Sequence, residues 1–132
     1  MHRWLYRLSG GRIGTRLNGF EILMLTTRGR RSGEPRKVAL QSLEHGNAWA
    51  VIGSFAGEDR DPAWCLNLRA EPMADVQIGR SHTRVRAREA EGDERAELWR
   101  RFVEVDDAYA EYETRTSRRL PVVILEPERL ED

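Results

Sequence analysis

Short segments in which apolar and polar residues alternate dominate the pattern of this 132-residue chain. Such alternation is typical of strands with one buried face. In one segment, Thr83, Val85 and Ala87 alternate with three arginines. The pattern predicts six strands, at residues 21–27, 36–43, 48–54, 74–79, 82–88 and 120–125.

Turn and helix signals lie between these strands. Gly46 and Asn47 in the segment EHGN suit a hairpin turn, and Gly79–Arg80 suits another. Pro62 precedes a predicted helix (AWCLNLRAE) that Pro72 ends. A second helix is predicted at 93–105, with Asp93 as its N-cap, and a short helix at 1–8; in the segment 106–116, Tyr109 and Tyr112 have helical spacing.

The order of elements predicts a mainly β (β+α) fold in a single domain over residues 1–132. About six mostly antiparallel strands, with two or three short helices, favour a small barrel because closure removes exposed sheet edges. A doubly wound fold is disfavoured, since strands and helices do not alternate regularly.

Composition points to a soluble protein. Charged residues make up 33% of the chain and hydrophobic residues 39%, and we find neither a signal peptide nor an apolar run of the ~18 residues that span a membrane. The single Cys65 favours a reducing cytoplasm. The helix predicted at residues 1–8 either pads the core or rests on a membrane surface.

The segment TTRGRRSGEPR (26–36) carries the strongest functional signal. Residues 28–37 hold five cations and one acid, a local charge of +4 in a chain of zero net charge. We expect Gly29 and Gly33 to adopt positive φ and expose backbone N–H groups. Arginine donates forked hydrogen bonds to phosphate and carboxylate. The segment is predicted to bind a polyanion; the alternative is a solvated charged turn.

Several other chemistries are disfavoured. No second metal ligand lies at useful spacing from any of the three histidines, His2, His45 and His82, so we predict no metal site. An inert Cys65 is favoured over a cysteine–histidine nucleophile. A sequence pI near 6.9 and widespread acids argue against nucleic-acid binding.

Two aromatic segments are candidates for a binding pocket. Trp64 and Asn67 are three residues apart in a predicted helix and share a face. An aromatic plate and an amide together suit a planar heterocycle; the alternative is a core tryptophan with a capping or surface amide. Tyr109 and Tyr112 also share a helical face, where they pack in the core, donate a proton or line a substrate pocket.

Together these segments resemble the deazaflavin-dependent nitroreductase family, whose members use coenzyme F-420 on a split β-barrel. The resemblance covers nearly the whole chain. Its most specific runs are LTTRGRRSGEPR (25–36) and PAWCLNLRAEP (62–72); Ser54, YAEY (109–112) and PVVILEP (121–127) support them.

The resemblance implies a reduced deazaflavin that delivers a hydride to a quinone, nitro compound or similar acceptor. The coenzyme carries a phosphate and an oligoglutamate tail. Ser54 and Tyr109 are the implied catalytic residues, and a homodimer is implied. The implied coenzyme-binding residues are Arg30, Arg31, Ser32, Arg36, Lys37, Val38, Ala39, Leu40, Gln41, Ile52, Gly53, Ser54, Phe55, Ala63, Trp64, Cys65, Leu66 and Asn67.

The chain departs from the family pattern around the implied ring pocket. Ala39 and Gln41 replace a proline and a tyrosine common in relatives, Phe55 replaces a polar residue or lysine, and Cys65 replaces a tyrosine. Two alternatives stay open: a non-catalytic barrel that binds a fatty acid, tetrapyrrole or coenzyme, and a relative that uses flavin mononucleotide.

Overall fold

The computed structural model describes residues 16–17, 20–54, 60–116 and 118–128. This part of the chain forms seven strands and three helices. The strands are β1 (Arg16–Leu17), β2 (Phe20–Arg28), β3 (Pro35–His45), β4 (Ala48–Ile52), β5 (Met73–Ile78), β6 (Ser81–Glu89) and β7 (Val122–Pro127). The helices are α1 (Ala63–Ala70), α2 (Gly92–Val105) and α3 (Ala108–Thr114).

Strands β2 to β7 close into an antiparallel barrel. The sheet order is β1-β2-β3-β4-β7-β6-β5, and β5 also pairs with β2, for example at Leu25↔Val76. The two-residue β1 extends the barrel beside the start of β2. The predicted mainly β split barrel is therefore confirmed, and each predicted strand overlaps an observed one.

Alternation along the strands builds two apolar layers. The barrel interior contains Leu23, Leu25, Val51, Trp64, Cys65, Leu68, Ala74, Val76, Val85, Val123 and Leu125. A second cluster on the outside of the sheet, where α2 and α3 pack, contains Phe20, Ala48, Ala50, Ile52, Ala90, Leu98, Phe102, Tyr109, Leu120, Val122 and Ile124. Neighbouring residues of β4 and β7 thus enter different layers, as expected for strands with two buried faces.

The start of α2 differs from the prediction. The prediction of Asp93 as N-cap is wrong: α2 begins at Gly92, its N-cap is Glu91, and Glu91 makes no side-chain capping bond. Gly92 has φ 60, a conformation that glycine adopts without strain. Asp93 lies in the first turn instead, where its carboxylate interacts favourably with the positive end of the helix dipole. The helix predicted at residues 1–8 lies outside the described residues.

The barrel wall is split between β3 and β4. Their ladder runs from His45↔Ala48 to Leu43↔Ala50 and ends there, although β3 continues to Pro35 and β4 to Ile52. A continued register would place Gln41 opposite Ile52. The edge of β3 near residues 39–41 and the segment 52–54 therefore face each other without described ladder pairs.

Among the described helices, none is long and apolar enough to cross a membrane.

Candidate functional site

A cavity of about 250 Å³ lies where the basic turn between β2 and β3 meets α1. Four of the described residues that line it are cations and none is acidic. No ion pair between these four cations and a carboxylate occurs in the described part of the chain. The lining residues are Thr27, Gly29, Arg30, Arg31, Ser32, Arg36, Lys37, Ala63, Trp64 and Asn67. This anion cavity brings together the two segments that the sequence singled out.

Asn67 joins the basic turn to α1. Its side chain is 3% exposed, and its Oδ1 accepts hydrogen bonds from the Arg30 backbone N–H (3.1 Å) and from Arg30 Nη1 (2.9 Å). Its Nδ2 donates to Thr27 Oγ1 at 3.1 Å. Asn67 and Trp64 share the cavity-lining face of α1, as predicted. Because both ends of the amide are engaged, Asn67 positions Arg30 in this structure.

The turn itself differs from the prediction at Gly29. Gly33 has φ 76, but Gly29 is not in the positive-φ region, so that half of the prediction is wrong. A Cβ at Gly29 would lie 2.8 Å from Ser32 Oγ, so close approach requires glycine there. The Gly29 N–H donates to the Glu34 carbonyl and the Gly33 N–H to the Gly29 carbonyl, both at 2.8 Å. These two amides are engaged within the turn, so neither is available to an anion.

Ser32 organises the cationic side of the anion cavity. Its Oγ accepts hydrogen bonds from the Glu34 backbone N–H (3.0 Å) and from Arg36 Nη2 (3.2 Å). The Arg36 guanidinium has five N–H donors, so one bond to Ser32 leaves others for a ligand. Arg36 is thereby oriented without being neutralised.

Strand β3 leads from the anion cavity to the split in the barrel. Val38 and Leu40 pack against the barrel interior, so Lys37, Ala39 and Gln41 alternate on the opposite face. Four residues of strand, from Lys37 to Gln41, span ~13 Å. Of the predicted residues 37–41, three side chains therefore line this outer face, and two pack against the barrel interior.

Tyr109 meets this outer face of β3 from α3. Its hydroxyl donates to Gln41 Oε1 at 2.8 Å, and its ring contacts those of Phe20, Phe102 and Tyr112 at centroid distances of 5.4–5.9 Å. The side chain is 6% exposed. Burial, and then the nearby Asp106, raise the pKa of the Tyr109 phenol. The hydroxyl therefore keeps its proton at neutral pH.

The Ser54 backbone is held by a half-buried arginine, Arg118. Arg118 donates to the Ser54 carbonyl (2.9 Å) and to the Gly53 carbonyl (3.1 Å), and it pairs with Asp61. Asp61 in turn pairs with Arg69 at 2.7 Å. This cluster fixes the end of the β4 segment at the split. Sequence reasoning missed it because its members lie far apart in the chain and show no local periodicity.

Gly53 and Cys65 are packed against each other behind the split. A Cβ at Gly53 would lie 2.5 Å from Cys65 Sγ and 3.0 Å from Pro121 Cγ. Burial, and then the charge of Asp61, raise the pKa of the Cys65 thiol to about 12. The thiol therefore stays protonated and serves packing, in keeping with the predicted inert cysteine.

Two predicted residues of α1, Cys65 and Leu66, do not line the anion cavity. Cys65 belongs to the barrel interior, and Leu66 is half-buried on α1 without lining the anion cavity. Phe55 lies outside the described residues. Within the described ranges, no group of three or more His, Cys, Asp or Glu is placed to hold a metal ion.

Comparison with known proteins bears on both segments. The model of the F420H(2)-dependent quinone reductase family matches residues 1–127. An F420H(2)-dependent quinone reductase of Mycobacterium tuberculosis is 35% identical over 130 residues, which cover 95% of this chain and 87% of that protein.

Solved structures agree with this match. The structure of an F420-H2 dependent reductase, FDR-A, has 40% sequence identity and a TM-score of 0.72, over 80% of this chain and 93% of that chain. A structure described as a domain-swapped dimer has 40% identity and a TM-score of 0.73, over 80% of this chain and 79% of that chain.

These matches decide between the alternatives that the sequence left open. They cover most of the chain and extend through the basic turn and α1, which form the anion cavity. The cavity offers cations for an anionic tail, so the residues present fit such a coenzyme. The chain belongs to the F420H(2)-dependent quinone reductase family: it is a deazaflavin-dependent oxidoreductase, and coenzyme F-420 is its cofactor.

Proposed function

We propose that the anion cavity holds the phosphate and oligoglutamate tail of coenzyme F-420. The observation that carries this proposal is the cavity itself, with Arg30, Arg31, Arg36 and Lys37 around it and no acid among its described lining residues. Uncompensated cations attract a polyanion, and guanidinium groups suit phosphate and carboxylate oxygens. Asn67 supports the assignment because it fixes Arg30 at the cavity.

We further propose that the deazaflavin ring lies at the split between β3 and β4. The face formed by Lys37, Ala39 and Gln41 runs ~13 Å from the anion cavity to the Tyr109 hydroxyl. Ile52 and Ser54 follow on the other side of the split. Arg118 would keep this side at a fixed distance by holding the Ser54 carbonyl.

When bound, the reduced coenzyme supplies a hydride, which carries two electrons. The protein's own contribution is orientation, exclusion of water and a proton. Tyr109 and Ser54 are the proposed proton donors to the acceptor oxygen, which gains negative charge as it accepts the hydride. Because Tyr109 donates to Gln41 in this structure, its hydroxyl must turn from Gln41 towards the acceptor. Solvent then restores the proton.

A quinone is the proposed acceptor class. Hydride and proton transfer together convert a quinone into a hydroquinone, which balances the two electrons and the charge. The relatives' names state quinone reduction. A nitro compound is the second candidate, since it also places negative charge on oxygen when it accepts a hydride.

A fluorescence titration tests the proposed coenzyme site. Trp64 lines the anion cavity, so binding of coenzyme F-420 is expected to change tryptophan emission. Flavin mononucleotide has one phosphate and no glutamates, and we expect it to bind at least tenfold more weakly. A deazaflavin nucleoside without phosphate or glutamates should be weaker still. Equal affinity for all three compounds would contradict the assignment of the anion cavity to the tail.

We also propose that the protein is a homodimer in the cytoplasm. A structure described as a domain-swapped dimer, 40% identical in sequence, supports the dimer, and the single cysteine supports the reducing compartment. Light scattering of the purified protein is expected to give twice the chain mass of 15.3 kDa. A mass of one chain across the micromolar range would contradict the dimer.

A further inference from the structure

A second cavity, of about 430 Å³, lies where β6 leads into α2 and the chain enters β7. It shares no lining residue with the anion cavity. Its volume lies within the range of pockets that bind small molecules. Its lining residues are Arg69, Glu89, Ala90, Glu91, Gly92, Arg95, Arg119 and Pro121. We call it the α2 cavity.

Arg95 is a buried cation in the α2 cavity. It is 8% exposed, its Nη1 donates to the Leu120 carbonyl at 2.7 Å, and its guanidinium carbon lies 5.7 Å from the Trp99 ring centroid. It forms no ion pair with a carboxylate of the described residues. Buried cations usually have an anionic partner, because desolvation disfavours an isolated charge. Burial, and then Arg119, lower the pKa of this guanidinium accordingly.

No carboxylate of the α2 cavity forms an ion pair with Arg95, although the charges of Glu113 and Glu89 oppose the lowering of its pKa. Arg69 pairs with Glu89 at 2.9 Å as well as with Asp61 at 2.7 Å. Glu91 is exposed, and it pairs with neither Arg95 nor Arg119. Arg119 adds a second cation that, among the described residues, has no ion-pair partner. Two arginines of one cavity therefore have guanidinium donors that form no ion pair within the described residues.

We propose that the α2 cavity binds a small organic anion through a phosphate or carboxylate group held by Arg95 and Arg119. Paired guanidinium groups favour such oxyanions because their N–H donors match the spacing of the oxygens. The bond to Leu120 and the Trp99 ring orient Arg95 in advance, which lowers the entropy lost on binding. This site is separate from the coenzyme tail site and does not depend on it.

Nuclear magnetic resonance can observe the two cavities separately. Trp99 contacts Arg95, whereas Trp64 lines the anion cavity. Inorganic phosphate and succinate serve as probes in separate titrations of the full chain. We expect saturable shifts of the Trp99 indole N–H and of the Arg95 Nε–H. The probe with the lower Kd identifies the head group as phosphate or carboxylate.

Substitutions then decide whether the arginines form the site. Arg119→Gln removes an exposed cation and should weaken probe binding at Trp99 at least tenfold, while leaving the response of Trp64 unchanged. Arg80→Gln is the matched control, because Arg80 is an exposed arginine in the β5–β6 turn. Arg95→Lys keeps the positive charge but removes the paired N–H donors of the guanidinium, so it should also weaken probe binding.

Two results would overturn the proposal. The first is that neither Trp99 nor Arg95 responds to either probe. The second is that Arg119→Gln binds the probe as tightly as the control Arg80→Gln and the unsubstituted protein. Either result would mean that Arg95 serves only to hold α2 to the Leu120 carbonyl through its hydrogen bond. A response confined to Trp64 would favour the tail site and exclude this one. A Trp99 response without any coenzyme binding would support this site while contradicting the proposed coenzyme site.

Discussion

Replacing Tyr109 with phenylalanine is expected to lower turnover with a quinone acceptor by about 10²–10⁴-fold, the contribution of a positioned proton donor. Affinity for coenzyme F-420 should stay within about twofold, because the anion cavity lies ~13 Å away along β3. The substitution removes a hydroxyl that donates to Gln41 Oε1 and leaves the aromatic packing with Phe20 and Phe102. Steady-state kinetics and a coenzyme titration measure the two effects separately.

Tyr112→Phe is the matched control for Tyr109→Phe. Tyr112 lies on the same helix, and its ring contacts that of Tyr109 at 5.9 Å. Loss of its hydroxyl should leave turnover nearly unchanged. If Tyr109→Phe turns over as fast as this control, then Tyr109 serves packing and water supplies the proton. The lost bond to Gln41 costs about 1 kcal/mol of stability, so both variants should remain folded.

Replacing Arg36 with alanine is expected to raise the Kd for coenzyme F-420 by about 10- to 100-fold. The estimate follows from about 1.5–3 kcal/mol for a hydrogen bond to a charged group, at 1.4 kcal/mol per tenfold. Ser32 already orients Arg36 through a 3.2 Å hydrogen bond, so little ordering is needed on binding. Binding to the unsubstituted protein should also weaken as salt rises, because screening reduces the attraction between exposed charges.

Arg28→Ala separates direct contact from overall charge. Arg28 belongs to the same basic segment but does not line the anion cavity. Both variants lose one positive charge, so a pure field effect would weaken binding equally. We expect Arg28→Ala to change the Kd by less than threefold. Equal losses, or no loss in Arg36→Ala, would contradict the assignment of Arg36 to the phosphate and tail.

Local sequence signals predicted most of the barrel. Alternation placed the strands, and glycine marked the β3–β4 and β5–β6 hairpins, where Gly46 and Gly79 have φ 63 and φ 59. These signals succeed because a strand's burial pattern and a turn's backbone conformation are set by neighbouring residues. The Asp93 prediction failed because α2 begins at Gly92, which puts Glu91 at the N-cap position without a side-chain capping bond.

The composition of the anion cavity was predictable, but its internal bonds were not. The basic segment and α1 were both identified as candidates from sequence. Their junction depends on Asn67, which bonds to Arg30 and Thr27, 37 and 40 residues away. The bond from Tyr109 to Gln41 spans 68 residues. No periodicity encodes such pairs, because they follow from the closure of the barrel and from the packing of the helices on it.

A structure of the protein with bound coenzyme F-420 tests the central claim most directly. We predict the phosphate in the anion cavity, within hydrogen-bonding distance of Arg36, and the deazaflavin ring at the split, between residues 39–41 and Ile52–Ser54. A phosphate bound away from the basic turn, or a ring placed in the α2 cavity, would contradict this account.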